Sequence, residues 1–215
     1  MNGRERIALA MAGQEADRVP VMCQLAIGHY LLNTDFDPVD IWFTSDAFAQ
    51  ALVRLQRRYR FDGILVNLPG RPPDIEGCVD GIDRGADEEV IRWRNGGMTR
   101  LPHDDNAHYA PPDDHPTVPS FRDLDPERLV YVEPWDVPGV GCPHLWDFET
   151  EPRPDDDFFP PYCTDAIQAV VERVGDEVSV HSEVFSPFSQ WMELLGNEDG
   201  AVSLIDDASK VRACL

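Results

Sequence analysis

Val178 to Leu195, VSVHSEVFSPFSQWMELL, is the stretch on which the fold turns. Val178, Val180 and Val184 recur with the period of two of a strand, and Ser179, His181, Glu183 and Phe185 fall on the opposite face. Ser186-Pro187 then opens a helix, with Pro187 at the first helical position, where a backbone N–H is not needed. Phe188, Trp191, Met192 and Leu195 form the apolar side of that helix, and Gly196 stops it. The valine face is suited to pack against helices. The other face carries a histidine, a carboxylate and an aromatic ring toward the end of the strand, the place where α/β folds bind ligands.

Working outward, the same rhythm recurs. Thr164 or Asp165 starts a helix with Ile167, Val170, Val171 and Val174 on one side, and Gly175 ends it. At the other end of the chain, residues 2–12 read as a short amphipathic helix. VPVMCQLA, residues 19–26, reads as a first strand, with Val19, Val21, Cys23 and Leu25 on one face and Met22, Gln24 and Ala26 on the other. Gly28-His29-Tyr30 lies just beyond its C-terminal end. Thr44 or Ser45 can cap a helix in which Phe48, Leu52, Leu55 and Tyr59 share a side, and its last turn holds Arg57, Arg58 and Arg60. FDGILVNL, residues 61–68, is a second strand, with Ile64, Val66 and Leu68 facing one way and Gly63, Leu65 and Asn67 the other. Strand, helix and strand in this order predict a βαβ unit with parallel strands.

Between residues 69 and 161 the pattern breaks down. Sixteen of the 19 prolines lie there, among many aspartates. VIRWRNGGMTRL, residues 90–101, predicts a hairpin about Asn95-Gly96-Gly97. The rest reads as a long surface excursion, with Trp93 and Trp135 as its anchors. A last helix is expected over residues 208–215.

The formal charge is −22, from 40 acidic and 18 basic residues. That repels nucleic-acid phosphates and anionic membrane surfaces, so neither is expected as a partner. No apolar run approaches the ~18 residues of a membrane span. The cysteines are five in number, an odd count, and none has C-x-x-C spacing, which suits a reduced cytoplasmic protein.

Three segments together resemble the uroporphyrinogen decarboxylase superfamily: RERIALAMAGQEADRVPV at residues 4–21, YRFDGILV at 59–66 and HSEVFSPFSQWMELLG at 181–196. The superfamily includes the decarboxylase of haem synthesis and cobalamin-dependent methyltransferases. The resemblance implies a (β/α)8 TIM-type barrel with its site at the C-terminal strand ends. Such a barrel takes ~250 residues, so the expectation is about the first half of one, interrupted by the 69–161 excursion. A truncated gene, a barrel completed by a second chain or a homodimer, and an open α/β sandwich are the three ways to account for that.

The departures from the family pattern steer the function. Where the decarboxylase has two arginines that hold substrate carboxylates, this chain has Leu25 and His29. Where it has an essential aspartate at the end of the second strand, the chain has Asn67, which can hydrogen-bond a pyrrole or an amide but cannot act as an anion. The resemblance therefore implies the methyltransferase branch, with corrinoid-linked methyl transfer to or from a thiol or another small molecule. Porphyrinogen decarboxylation is the alternative, and a non-catalytic partner or corrinoid-binding subunit is a third reading. The expected substrate face is Gln24, His29, Tyr30, Asn67, His181, Glu183 and Phe185. The corrinoid, and the zinc that the methyltransferase branch holds through His-x-Cys and a later cysteine, would belong to the complete protein, because this chain has no His-x-Cys. Cys142-Pro143-His144 and the group His103, Asp104, Asp105, His108, Asp113, Asp114 and His115 are the nearest metal-ligand material, with a spacing that fits no known scaffold.

Overall fold

The computed structural model describes residues 1–70, 75–94, 96–110, 112, 120–128, 161–183 and 186–215. Their strands form two separate sheets. β1 (Met22–Cys23), β2 (Gly63–Val66) and β7 (Ser179–Ser182) make a parallel sheet in the order β1-β2-β7. β3 (Val79–Arg84), β4 (Glu88–Trp93), β5 (Met98–Pro102) and β6 (His108–Ala110) make an antiparallel meander. This is not the (β/α)8 arrangement expected from the sequence. The parallel sheet has three strands and two free edges among the described residues. The 69–161 excursion, expected to be irregular apart from one hairpin, instead builds a second sheet with short antiparallel connections.

Among the described residues eight helices accompany the sheets: α1 (Gly3–Met11), α2 (Ile27–Asn33), α3 (Pro38–Phe43), α4 (Ser45–Tyr59), α5 (Asp165–Val174), α6 (Pro187–Leu195), α7 (Asn197–Asp206) and α8 (Ala208–Cys214). The sequence periods predicted α1, α4, α5, α6 and α8 but not α2, α3 or α7. The expected strand over 19–26 shrinks to two residues, because Val19 and Val21 stay exposed and α2 begins at Ile27.

Helix α4 is the centre of the main core. Ala49, Ala51 and Leu55 have no exposed surface, and Phe48 and Leu52 are nearly as buried. They pack with Ile64 and Val66 of β2, with Val170 and Val174 of α5, and with Val178 and Val180 at β7. Full burial of each such aliphatic side chain contributes about 1.5–3 kcal/mol. Ala49 and Ala51 let the helix approach its neighbours closely, where larger side chains would overpack. Val171, expected on the packed side of α5, is 48% exposed.

The antiparallel sheet joins this core through Trp93, whose ring tilts against Phe43 at 6.0 Å and whose Nε1–H donates to Thr99 Oγ1 at 2.8 Å. Buried Glu89 accepts from the Val39 N–H at 2.7 Å, in the first turn of α3, and pairs with Arg84. Gly28 shows how tightly α2 seats on the meander. A β-carbon there would lie 2.1 Å from the Asp104 carbonyl oxygen.

Helices α6 to α8 have a core of their own, made by Trp191, Leu195, Val211 and Leu124. Ser186 caps α6 by accepting from the Ser189 N–H, and Pro187 sits at its start, as the sequence predicts. Phe188, expected on the packed side, is 52% exposed. The stretch 120–128 docks here: Phe121 meets Trp191 edge-on at 5.7 Å, and Lys210 lies over the Phe121 ring at 5.0 Å. The excursion therefore packs on both cores.

Candidate functional site

The register of the parallel sheet sorts its side chains. Met22 lies opposite Gly63, and Gly63, Leu65 and Val66 lie opposite Ser179, His181 and Ser182. Alternation then puts Cys23, Ile64, Val66 and Val180 on the face that packs on the helices. It puts Met22, Gln24, Leu65, Asn67, His181 and Glu183 on the other. Helix α1 covers the N-terminal part of this second face, where a β-carbon on Gly63 would lie 2.8 Å from Ile7 Cδ1. Its C-terminal part carries polar side chains.

At that end Gln24 Nε2 donates to Glu183 Oε2 at 2.8 Å. The two side chains come from beyond the outer strands, β1 and β7, and so span the end of the central strand β2. The Glu183 N–H donates to the Val66 carbonyl at 3.3 Å, which carries the ladder one residue past β7. Asn67 follows β2 directly. Its Oδ1 is buried and accepts no hydrogen bond among the described residues. Glu183 is exposed, and its second carboxylate oxygen has no hydrogen-bond donor among the described residues. His181 lies one rung back, where its Nε2 and Ser179 Oγ are 2.8 Å apart. This partner was legible in the sequence, since residues two apart on a strand share a face.

Tyr30 is 1% exposed and packs edge-on against Phe48 at 5.5 Å, so it belongs chiefly to the core. Burial pushes its hydroxyl pKa well above the usual tyrosine range, and the charges of Cys23 and Glu183 push the same way, against the Leu25 N–H. The phenol thus stays protonated at neutral pH. His29 turns elsewhere. Its Nε2 is 2.9 Å from the Tyr59 hydroxyl, at the last turn of α4, and Asn33 donates to its backbone carbonyl at 3.0 Å. The structure therefore puts Gln24, Asn67, His181 and Glu183 on one face, leaves Tyr30 in the core and takes His29 to a separate pair. Phe185 lies outside the described residues.

The metal-ligand material does not converge. Among the described residues no three His, Cys, Asp or Glu side chains are placed to hold one metal ion. Among the described residues His108 pairs with Asp105, at 3.4 Å, and His103 Nε2 is buried with no hydrogen-bond partner. Asp113, Asp114, His115 and Cys142-Pro143-His144 lie outside the described residues. Among the described residues the donors do not fit the zinc that the resemblance implies.

Sequence reasoning missed a charge network at the opposite end of the sheet. Asp62, just before β2, is 2% exposed. It accepts from Arg6 Nη1 at 2.5 Å, from both Arg18 Nη groups at 2.7 Å and from the Val21 N–H at 2.8 Å. Arg6 also holds Asp17 at 2.5 Å. Burial raises the Asp62 pKa, but the Val21 N–H and the two guanidiniums outweigh it and hold the carboxyl below the usual range. The Arg6 hydrogen bond lowers Asp17 to about 2. The DRVPV and YRFDG segments that carried the resemblance are therefore bonded to each other. The signal was present as Arg6, Asp17 and Arg18 in residues 4–21 and Asp62 in residues 59–66, but only the fold shows that they meet.

No helix among the described residues is long and apolar enough to cross a membrane. No family model, no curated protein and no solved structure matches the chain.

Proposed function

We propose that this chain binds a small molecule at the C-terminal end of its parallel sheet and takes part in corrinoid-linked methyl transfer to or from that molecule. The carrying observation is that Gln24, Asn67, His181 and Glu183 share one face there, with Gln24 and Glu183 bonded across the end of β2. Ligands of open parallel sheets bind at that end. The resemblance to the superfamily supplies the reaction. In such a transfer the methyl group passes as CH3+ between a heteroatom of the small molecule and the cobalt of a corrinoid co-substrate. The bond's electron pair stays on the heteroatom in one direction and comes from it in the other.

Porphyrinogen decarboxylation is less well supported. Its substrate needs cations for its carboxylates, yet Leu25 stands in place of one arginine, His29 pairs with Tyr59, and the face presents the Glu183 carboxylate. The test is to incubate the chain with methylcob(III)alamin and a thiol and, separately, with a porphyrinogen. Loss of the methylcob(III)alamin spectrum above the protein-free rate supports the proposal. Carbon dioxide release from the porphyrinogen, with no change in the corrinoid, overturns it.

A second reading, as a non-catalytic subunit, is favoured by one observation: both outer strands of the parallel sheet have a free edge among the described residues. Exposed strand edges invite pairing with another chain. It requires a stable assembly with a second copy or a second chain, measured by analytical ultracentrifugation, together with no methyl transfer.

A further inference from the structure

We infer that the free edge of β1 joins two copies of this chain in a dimer whose parallel sheets run on into one another. The inference goes beyond the methyl-transfer proposal and does not depend on it. Three observations lead to it. The first is where charge is missing. Val19 to Thr34, VPVMCQLAIGHYLLNT, is the longest run without Asp, Glu, Lys or Arg in a chain that is 27% charged and carries −22. A surface rich in carboxylates repels a second copy. This edge does not, and depletion of charge, more than bulk apolarity, marks the core of an interface. The second is what the edge exposes. β1 is an outer strand of its sheet. Val19 is 82% exposed, and Val21, Met22 and, at the end of α1, Met11 are exposed as well. Helix α1 and β1 meet at this edge, because a β-carbon on Gly63 would lie 2.8 Å from Ile7 Cδ1 and 2.9 Å from Met22 Sδ. Met11 stands one turn beyond Ile7. The third is that the edge is held in place. Arg18 donates to Asp62 through both Nη groups, the Val21 N–H donates to the same carboxylate at 2.8 Å, and the Asp62 N–H donates to the Val21 carbonyl at 2.7 Å. The neighbouring charges, Arg6, Asp17, Arg18 and Asp62, are thereby engaged with one another. The clamp fixes an apolar, uncharged edge in the open.

A second copy is the occupant these features fit. A basic partner is drawn to the acidic surfaces of the chain and finds nothing to attract it here. An identical edge brings no charge of its own, and a strand edge can pair with itself about a two-fold axis. The joined sheet then has the order β7-β2-β1-β1-β2-β7.

The test is sedimentation velocity on the full chain over a range of concentrations, at about 0.01 M and about 1 M salt, where the screening length falls from about 30 Å to about 3 Å. The expected result is a monomer–dimer equilibrium that shifts toward the dimer at high salt, because salt screens the repulsion between two acidic chains and has no attraction at this edge to weaken. Val19→Glu alters a side chain that is mostly in solvent, so it should leave the urea midpoint in place. It should raise the dimer dissociation constant about tenfold or more, as like charges facing each other across a contact do, and Met22→Glu should act in the same direction. Ile205→Glu, on α7 and 87% exposed, should leave the dimer unchanged. A chain that stays monomeric at every concentration and in both salts overturns the inference, whether another protein covers the edge or none does. A dimer that high salt dissolves, or that Val19→Glu and Met22→Glu leave intact, overturns it too. A dimer without corrinoid turnover leaves the inference standing and removes the methyl-transfer proposal. Turnover by a monomer does the reverse.

Discussion

Asp62 and Glu183 are both carboxylates at the ends of the parallel sheet, and their surroundings are opposite. Asp62 precedes β2, is buried, and is saturated by two guanidiniums and a backbone N–H. Glu183 follows β7, is exposed, and is held by one amide. A buried carboxylate with every acceptor site engaged can do little but hold structure. A carboxylate oriented by one neighbour, and otherwise open, can meet a ligand. The N-terminal end of the sheet is therefore a clamp that ties α1 and the loop after it to β2. The C-terminal end is the face that is free for chemistry.

The largest effect that tests this contrast is on stability at the clamp. Asp62→Asn leaves two arginines facing a neutral amide, and breaking a buried ion pair costs about 3–5 kcal/mol. Urea unfolding should show that loss. Arg18→Ala, at a half-exposed partner, should cost clearly less.

Acid sharpens the same point. Asp62 and Asp17 have lowered pKa values in the folded chain. Their stabilisation is complete above the unfolded carboxylate pKa of ~3.9 and is lost as pH falls toward about 2, the Asp17 value. Unfolding midpoints measured downward from pH 5 should therefore fall steeply in the wild-type chain and less steeply in Asp62→Asn. Equal slopes would separate the clamp from acid stability.

Next comes Glu89, the buried carboxylate that fastens the antiparallel sheet to α3. Glu89→Gln should cost about 1.5–3 kcal/mol in urea unfolding, the usual worth of hydrogen bonds to a charged group, without changing the methyl-transfer rate below its unfolding transition. The smallest stability effects belong to the open end. Gln24→Ala and Glu183→Gln should each shift unfolding by less than about 0.5 kcal/mol, as exposed substitutions do. Gln24→Ala should slow methyl transfer only a few-fold, because it frees Glu183 without removing it.

The two ends were not equally legible in the sequence. The open end was, because alternation along a strand is local. Val178 and Val180 facing the helices, and Asn67, His181 and Glu183 on one side, follow from period two alone. The clamp was not, because it joins Arg6, Arg18 and Asp62 across dozens of residues, and no local period marks such a pairing. The 69–161 excursion failed for another reason. Its β3 is rich in charged and small residues and its β6 has three residues, so tertiary pairing rather than apolar alternation makes them strands. Helices α2 and α3, of seven and six residues, are too short to show a helical period. The barrel expectation fell with these elements. His29 was placed at the site because it follows β1, but α2 forms there and carries the ring to Tyr59.

The most direct measurement is a paired one: urea unfolding and thiol-dependent loss of the methylcob(III)alamin spectrum on Asp62→Asn, Arg18→Ala and Glu183→Gln. The expected result is a crossed pattern. The two clamp variants lose stability and keep the wild-type rate below their unfolding transitions, while Glu183→Gln keeps its stability and loses methyl transfer. If Glu183→Gln reacts like the wild-type chain, or if stability and rate fall together in all three, the division of the sheet into a structural end and a ligand end is wrong.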